Sequence, residues 1–480
     1  MSLIFLGRIT QALLALVALR VMTGMLSPEE VGRWSLLLAV TSFFVLGLVN
    51  PVGMFINRRL HAWVEFGRIK RYMLYYIVYL CFVSLLAALL LYISSFVYEI
   101  VPNMEFTWLV LLVCGSVVFA TLNQTYIPSL NLLGYRGWFV LLTLATVTTA
   151  LVGSMLFVDW FKPTAEMWQL GQLVGQLLFA LVGGGVFFHY AKKHKKNNSD
   201  ESSNRITYAK LVLVFSFAWP LVLSVLFTWV QSQSYRFIVQ DMIGLQLLGL
   251  FVVGYGVAAS IIGVFESIIS TYFIPSYYKR ISSEDKDEHA LAWREYASAM
   301  LVGLMLTIAV VIAVSDELAF VLLDASFSQA AQYIVWGALA EAARVIVATY
   351  ALLAHAGMDT KKLIIPNALA ALSAPILVFL LVGVWAAHGL GMGLAIAGCV
   401  AIIASHVMLS KSFKVMVPWQ KIMQAALIAL CFLVSAKVGH SLLGISVTFV
   451  SSFAWLFIAG MLLLCILYIM LNTQIHKEAV

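Results

Sequence analysis

Charge is what this 480-residue sequence most lacks: Asp, Glu, Lys and Arg make up only 11% of it, while 62% is hydrophobic. A water-soluble domain carries about 25% charged residues to cover its surface. A chain with less than half of that, and a mean hydropathy of +0.98, has lipid as its main solvent. That excludes a string of soluble domains. The five cysteines, Cys81, Cys114, Cys399, Cys431 and Cys465, all lie in apolar stretches and none lies in a loop. This excludes a disulfide framework and a zinc site, and they read as small buried hydrophobes. No P-loop, metal-ligand motif or nucleophile elbow occurs. The run Gly183, Gly184 and Gly185 sits in an apolar span with no Lys-Ser/Thr behind it. The chain is therefore expected to be no enzyme and to hold no metal and no cofactor. An ion gradient or the lipid gradient would drive it rather than bound ATP. A cleavable signal peptide is also missing. The first apolar stretch, 9–25, is interrupted by Arg20 and has no small-residue cleavage site, so it reads as a first membrane span.

What the sequence does contain is long apolar runs. Runs of about 18 residues or more, bounded by charge or turn residues, predict about fourteen membrane helices. They fall at 3–25, 34–56, 73–96, 107–130, 138–158, 167–189, 211–239 and 247–274, then at 297–322, 331–354, 363–385, 392–409, 422–438 and 447–471. The run 363–409 is divided only by Ala387-His388-Gly389, and is split because it is about two bilayers long. With the amino terminus in the cytoplasm, 22 of the 29 basic residues fall on the cytoplasmic side. A wrong span count would scramble that alternation, so the positive-inside rule predicts both the count and an orientation with both termini inside. The net charge of +7 then belongs to loops that face anionic lipid, not nucleic acid. Pro28-Glu29-Glu30 and Ser315-Asp316-Glu317 read as short outer loops. The long polar stretch 191–207 reads as a flexible cytoplasmic linker.

The halves on either side of that linker look alike. Leu26-Ser-Pro-Glu-Glu-Val-Gly32 opens the second span and Met242-Ile-Gly-Leu-Gln-Leu-Leu-Gly249 the eighth. Gly134 ends the fourth and Gly357 the tenth. The two pairs are separated by 217 residues (Gly32 to Gly249) and 223 residues (Gly134 to Gly357). The expected architecture is all-α: a six-helix repeat at 1–190, the linker 191–207, a second six-helix repeat at 208–411, and two further membrane helices with a tail at 412–480. Repeats with an even number of spans keep one orientation and place a central cavity between them.

Charges within spans cost about 2.5 to 3.5 kcal/mol each on insertion scales, so they carry information. Glu341 and Arg344 share a helix face at i,i+3 spacing. Two readings stand side by side: a structural ion pair, or contact with substrate. Arg20 and Arg236 occupy corresponding helices of the two repeats, near their outer ends, where snorkelling to the interface is the plain alternative to binding. Glu266 either carries a proton or is hydrogen-bonded within the bundle. Asn123, Gln124 and Tyr126 form a polar cluster suited to sugar hydroxyls, or to helix–helix hydrogen bonds. His406, alone in its span, reads as a satisfied core histidine. Pro51, Pro128, Pro220 and Pro366 are candidates for kinks.

The run Arg20-Val-Met-Thr-Gly-Met-Leu-Ser-Pro-Glu-Glu-Val-Gly-Arg-Trp-Ser-Leu resembles the amino terminus of polysaccharide-export proteins. So does Tyr235-Arg236-Phe-Ile-Val with the later Ile243-Gly, Leu248-Gly249 and Val253-Gly-Tyr255. The family is the Wzx-type flippases of lipid-linked oligosaccharides, within the multidrug/oligosaccharidyl-lipid/polysaccharide exporter superfamily. Relatives often carry Asp-Arg where this chain has Tyr235-Arg236, and about fourteen spans match the related lipid II flippases better than the usual twelve. The resemblance implies a multi-pass protein of the bacterial inner membrane. It would move an undecaprenyl-pyrophosphate-linked glycan, an O-antigen or exopolysaccharide repeat unit, to the outer leaflet by alternating access. Its partners would be that glycan lipid, the membrane, a polysaccharide polymerase and glycosyltransferases. Arg20, Arg236 and Arg344 would then meet phosphate or acidic sugars, because guanidinium forks bind such oxygens bidentately. Asn123, Gln124 and Tyr126 would meet sugar, and Glu266 and Glu341 would couple to ions or pair structurally. The rival expectations are a cation-coupled multidrug-type antiporter and a non-transporting scaffold for glycan synthesis.

Overall fold

The computed structural model describes residues 2–194, 208–281, 286–357, 359–443, 451–452, 454–462 and 465. Among them the chain is helical, with no strand. Lipid offers a backbone no hydrogen-bond partners, so an apolar chain of this kind has to satisfy its own peptide groups within helices. Eleven helices among the described residues are long and apolar enough to cross a bilayer. The protein is a multi-pass membrane protein.

By packing, the chain divides into two units, Met1–Phe237 and Ile238–Val480. The first contains α1 (Ser2–Met25), α2 (Pro28–Glu65), α3 (Ile69–Ser94), α4 (Phe106–Leu132), α5 (Arg136–Trp160), α6 (Ala165–Lys193) and α7 (Tyr208–Gln233). The second contains α8 (Leu245–Arg280), α9 (Lys286–Ala313), α10 (Ala331–Ala356), α11 (Ile364–Ser410) and α12 (Trp419–Leu443). Helix α7, which follows the linker in sequence, packs in the first unit against α2. The expected last span, 447–471, and 195–207 of the linker lie largely or wholly outside the described residues.

The helices outrun the apolar stretches that announce them. Pro28-Glu29-Glu30, expected in a loop, forms the first turn of α2: the Ser27 hydroxyl accepts from the Glu30 amide and Pro28 starts the helix. That is the arrangement in which a missing proline N–H costs nothing. Ser315-Asp316-Glu317 likewise opens a short helix, Ser315–Leu322, rather than a loop. Both acidic pairs lie where a helix N-terminus favours negative charge. Lys192 and Lys193 close α6, and Lys279 and Arg280 close α8, at the ends that favour positive charge. Gly134 ends α4 with φ +92. Gly357, expected from the sequence to correspond to it, keeps φ −76 and serves differently, since a Cβ there would meet the Phe413 ring at 2.4 Å.

Helix α3 shows how lipid inverts the usual pattern. Met73, Tyr76, Leu80, Val83, Ala87 and Leu91 are buried, while Leu74, Val78, Phe82, Leu85 and Leu89 form the exposed stripe. Large apolar side chains on both faces mark a helix solvated on one side by lipid. The same reasoning corrects the reading of the cysteines. All five are free thiols, but Cys81, Cys399, Cys431 and Cys465 are exposed on such surfaces rather than buried.

Helix α11 contains the break expected at Ala387-His388-Gly389, slightly earlier, at Trp385 and Ala386. Ala386 adopts φ 46 and ψ −129. Beyond it the chain folds back so tightly that a Cβ on Gly389 would lie 2.1 Å from the Leu381 carbonyl oxygen.

Candidate functional site

In the first unit, glycine contacts aim a polar face. A Cβ on Gly171 would fall 2.3 Å from the Ser154 nitrogen, and one on Gly175 would fall 2.6 Å from the Ala150 Cα. Only hydrogen at these positions lets α6 approach α5 this closely. Gln169, Gln172 and Gln176 follow at i, i+3 and i+7, so they share another face of α6. That face lines a cavity of about 340 Å³ together with α2, α4, the end of α7 and Arg236. Its walls also include Gln124, Gln233, Thr41, Ser42, Ser116 and Thr121. None of its thirteen lining residues is acidic or aromatic, and Arg236 is its one charge.

Two single π turns border the cavity, Val45–Val49 in α2 and Ser116–Ala120 in α4. Val45, Ser116 and Ala120 all line it. Such bulges shift the helix register and recur at functional sites. Asn50-Pro51 follows the first, where the proline has no N–H to give.

The amides differ in their commitments. Gln169 is a strut: its Oε1 accepts from Trp34 Nε1 at 2.9 Å and its Nε2 donates to Ser116 Oγ at 3.2 Å. Gln176 Oε1 and Thr121 Oγ1 are buried without a protein partner. Buried polar groups are normally paired, so these two atoms are suited to a polar guest. Arg236 donates through Nη1 to the Ser35 carbonyl at 2.8 Å and through Nε to the Tyr235 hydroxyl at 3.4 Å. It does not belong to α7, as expected, but to the short helix Tyr235–Ile243 that follows.

Gln124 is exposed on the cavity wall. Asn123 is buried, donating to Thr146 Oγ1 at 3.2 Å and to the Gln176 carbonyl at 3.4 Å. Tyr126 is buried against Phe187 and Phe188. Arg20 is exposed on α1 and lines no described part of the cavity.

The second unit assembles a separate ionic cluster. A Cβ on Gly337 would lie 2.6 Å from the Tyr255 Cα, so α10 and α8 are drawn close. Arg344 Nε lies 2.6 Å from Glu341 Oε2 and Arg344 Nη2 lies 2.6 Å from Glu266 Oε2. The Tyr255 hydroxyl donates to the other oxygen of Glu341. With both carboxylates ionised the cluster carries a formal charge of −1. Arg344 therefore presents a largely neutralised guanidinium to an incoming anion. His406 is hydrogen-bonded to the Tyr350 hydroxyl at 3.1 Å.

The sequence matches no family model and no curated protein. Its structure is similar to an inward closed conformation of the lipid II flippase MurJ, with 14% identity over 100% of this chain and 99% of that one and a TM-score of 0.68. It is also similar to an inward-facing multidrug resistance MATE family transporter of the MOP superfamily, with 12% identity over 85% of this chain and 98% of that one and a TM-score of 0.60. A mutant of the Vibrio cholerae MATE transporter VcmN matches with 13% identity over 85% and 94% and a TM-score of 0.56. The chain shares the fold of these three structures.

Sequence reasoning had singled out Gln124 and Arg236 but missed Gln172, Gln176, Gln233 and Tyr255. The spacing of the α6 glutamines, three and then four residues apart within an otherwise apolar run, was the signal available.

Proposed function

We propose that this chain is a flippase of lipid-linked oligosaccharides, moving the glycan of an undecaprenyl-pyrophosphate carrier from the cytoplasmic to the outer leaflet of the bacterial inner membrane by alternating access. The observation that carries the reading is the first-unit cavity. It combines amides, hydroxyls and one arginine, with no carboxylate among its described lining residues, inside an apolar helical unit. Sugar hydroxyls both donate and accept, and glutamine side chains answer both needs. An acid-free lining also disfavours a cationic drug as guest in this cavity. The match to the lipid II flippase runs the length of the chain, whereas the two MATE matches cover 85% of it, which supports the flippase reading further. A polysaccharide polymerase and glycosyltransferases are the protein partners this reading implies.

A cation-coupled antiporter is the second reading, and Glu266 with Glu341 is the observation that favours it, because acidic groups within a membrane helix bundle can take up protons. Reconstitution separates the two. Vesicles containing the purified protein and a labelled undecaprenyl-pyrophosphate oligosaccharide should deliver label to the opposite leaflet. Arg236→Ala should slow delivery about tenfold at equal protein, equivalent to one lost charge-assisted contact of about 1.4 kcal/mol. No delivery of several such lipids by the wild-type protein, together with proton-dependent drug efflux, would replace the flippase reading by the antiporter.

A further inference from the structure

Arg236 is half-buried and has two kinds of neighbour. On one side it lines the acid-free cavity. On the other its Nη1 donates to the carbonyl of Ser35, a buried residue of α2. One turn further along α2, Trp229 Nε1 of α7 donates to the Ala39 carbonyl at 2.9 Å and to Ser42 Oγ at 3.0 Å. These side-chain bonds tie the end of α7 and the segment after it to a single face of α2. The Ser35 tie is the weaker kind. A carbonyl within a helix already accepts from the amide four residues on, and it is a neutral acceptor. Hydrogen bonds from guanidinium to an anionic oxygen are about twice as strong and are often bidentate. The fork carries five N–H donors, and its two described bonds use Nε and Nη1.

We infer that Arg236 is an anion-operated latch: an anionic oxygen entering the cavity takes its guanidinium from the Ser35 carbonyl and loosens the segment after α7 from α2. The inference rests on the reading that this cavity receives a glycan headgroup, and adds what the headgroup does on arrival. The required chemistry is a carboxylate or phosphate oxygen, supplied by an acidic sugar or by the lipid carrier. The Ser35 carbonyl keeps its bond within the helix after the exchange, so release leaves no buried acceptor bare. Gln176 Oε1 and Thr121 Oγ1, unpartnered in the same cavity, then have a guest's hydroxyls to bond. Arg236 stands one residue before Phe237, the last residue of the first unit.

The test is amide hydrogen exchange of the full-length protein in lipid nanodiscs, read over residues 228–243, with galacturonate, inorganic pyrophosphate or galactose added. Galacturonate, pyrophosphate or both should speed exchange at least twofold, and galactose should not. A response to galacturonate alone assigns the anion to an acidic sugar, and one to pyrophosphate alone assigns it to the carrier. Arg236→Gln should exchange fast without any additive and respond to none. Arg236→Lys, which keeps the charge but not the fork, should respond at higher anion concentration. Unchanged or slowed exchange with both anions would overturn the latch, as would wild-type exchange in Arg236→Gln. Either result would leave lipid-linked glycan delivery by the wild-type protein untouched, so the latch and the flippase reading fail separately.

Discussion

Arg344 joins α10 to α8 through Glu266, with Nη2 2.6 Å from Oε2. The same guanidinium satisfies Glu341, which is only 6% exposed and would otherwise hold its charge against the Tyr255 hydroxyl alone. Removing one partner of a fully buried pair costs about 3 to 5 kcal/mol. Arg344 is 48% exposed, so Arg344→Leu should cost about 1 to 2 kcal/mol. The expected result is a lower thermal midpoint of the purified protein, with most of the loss recovered when Glu341→Leu is added. A midpoint unchanged by Arg344→Leu would show that the cluster holds nothing together.

The contact between α5 and α6 makes a sharper prediction. Gly171→Ala puts a methyl group 2.3 Å from a backbone nitrogen, and backbone cannot move aside as a side chain can. This variant should lose most of its folded protein. Gly185→Ala, in the same helix, has nothing within 4 Å of the new methyl, and should fold normally or gain slightly in helix propensity. Yield of monodisperse protein after size-exclusion chromatography checks both. Equal yields would mean that α5 and α6 are not packed this closely.

These features differ in how far they could be read from sequence. The spans were legible because a bilayer demands about twenty apolar residues in a row. Their ends were not, because the apolar run marks the bilayer's thickness while the helix continues into polar residues, as α2 does from Pro28 to Glu65. In the polar cluster of α4, Asn123 and Gln124 are adjacent in sequence, yet a helix turns about 100° per residue. One therefore meets α5 and α6, and the other meets the cavity. The i,i+3 relation of Glu341 and Arg344 was visible, but Glu266 joins them from 78 residues away, a distance that one sequence without spatial information does not bridge.

The basic loops predict a topology. A reporter or accessible cysteine placed at Gly67 or at Gly134 should read as cytoplasmic, and one at Pro163, between α5 and α6, as external. The positive-inside rule rests on Lys and Arg near span ends, and Arg58, Arg59, Arg68, Lys70 and Arg71 surround the first of these turns. Labelling of intact cells by a membrane-impermeant thiol reagent at Gly67 but not at Pro163 would reverse the orientation, and with it the direction of transport proposed above.

The break in α11 stores local strain. Ala386 holds φ 46, a region in which a side chain costs about 1 to 3 kcal/mol and glycine costs little. Ala386→Gly should therefore raise the thermal midpoint by a few degrees, although glycine would lower it at an ordinary helical position. Differential scanning fluorimetry decides between the signs. A lower midpoint would mean that the chain passes through this point in a relaxed conformation.

The glutamines of α6 allow structure and binding to be separated on one helix. Gln169 is 3% exposed and bonds to Trp34 and Ser116 through both ends of its amide, so Gln169→Ala strands the Trp34 indole and leaves a gap between three helices. Helix–helix hydrogen bonds in bilayers average about 0.6 kcal/mol and reach about 1.7, and the two bonds together with the lost packing should cost about 2 kcal/mol. Gln172 lines the cavity one turn further on and has no described hydrogen-bond partner. Gln172→Ala should leave the thermal midpoint within a degree of wild type while slowing glycan-lipid delivery severalfold. A stable but slow Gln172→Ala beside an unstable Gln169→Ala is the pattern that a glycan-binding face requires. If instead Gln172→Ala delivers at the wild-type rate, the polar stripe of α6 serves packing alone and the headgroup must be held elsewhere.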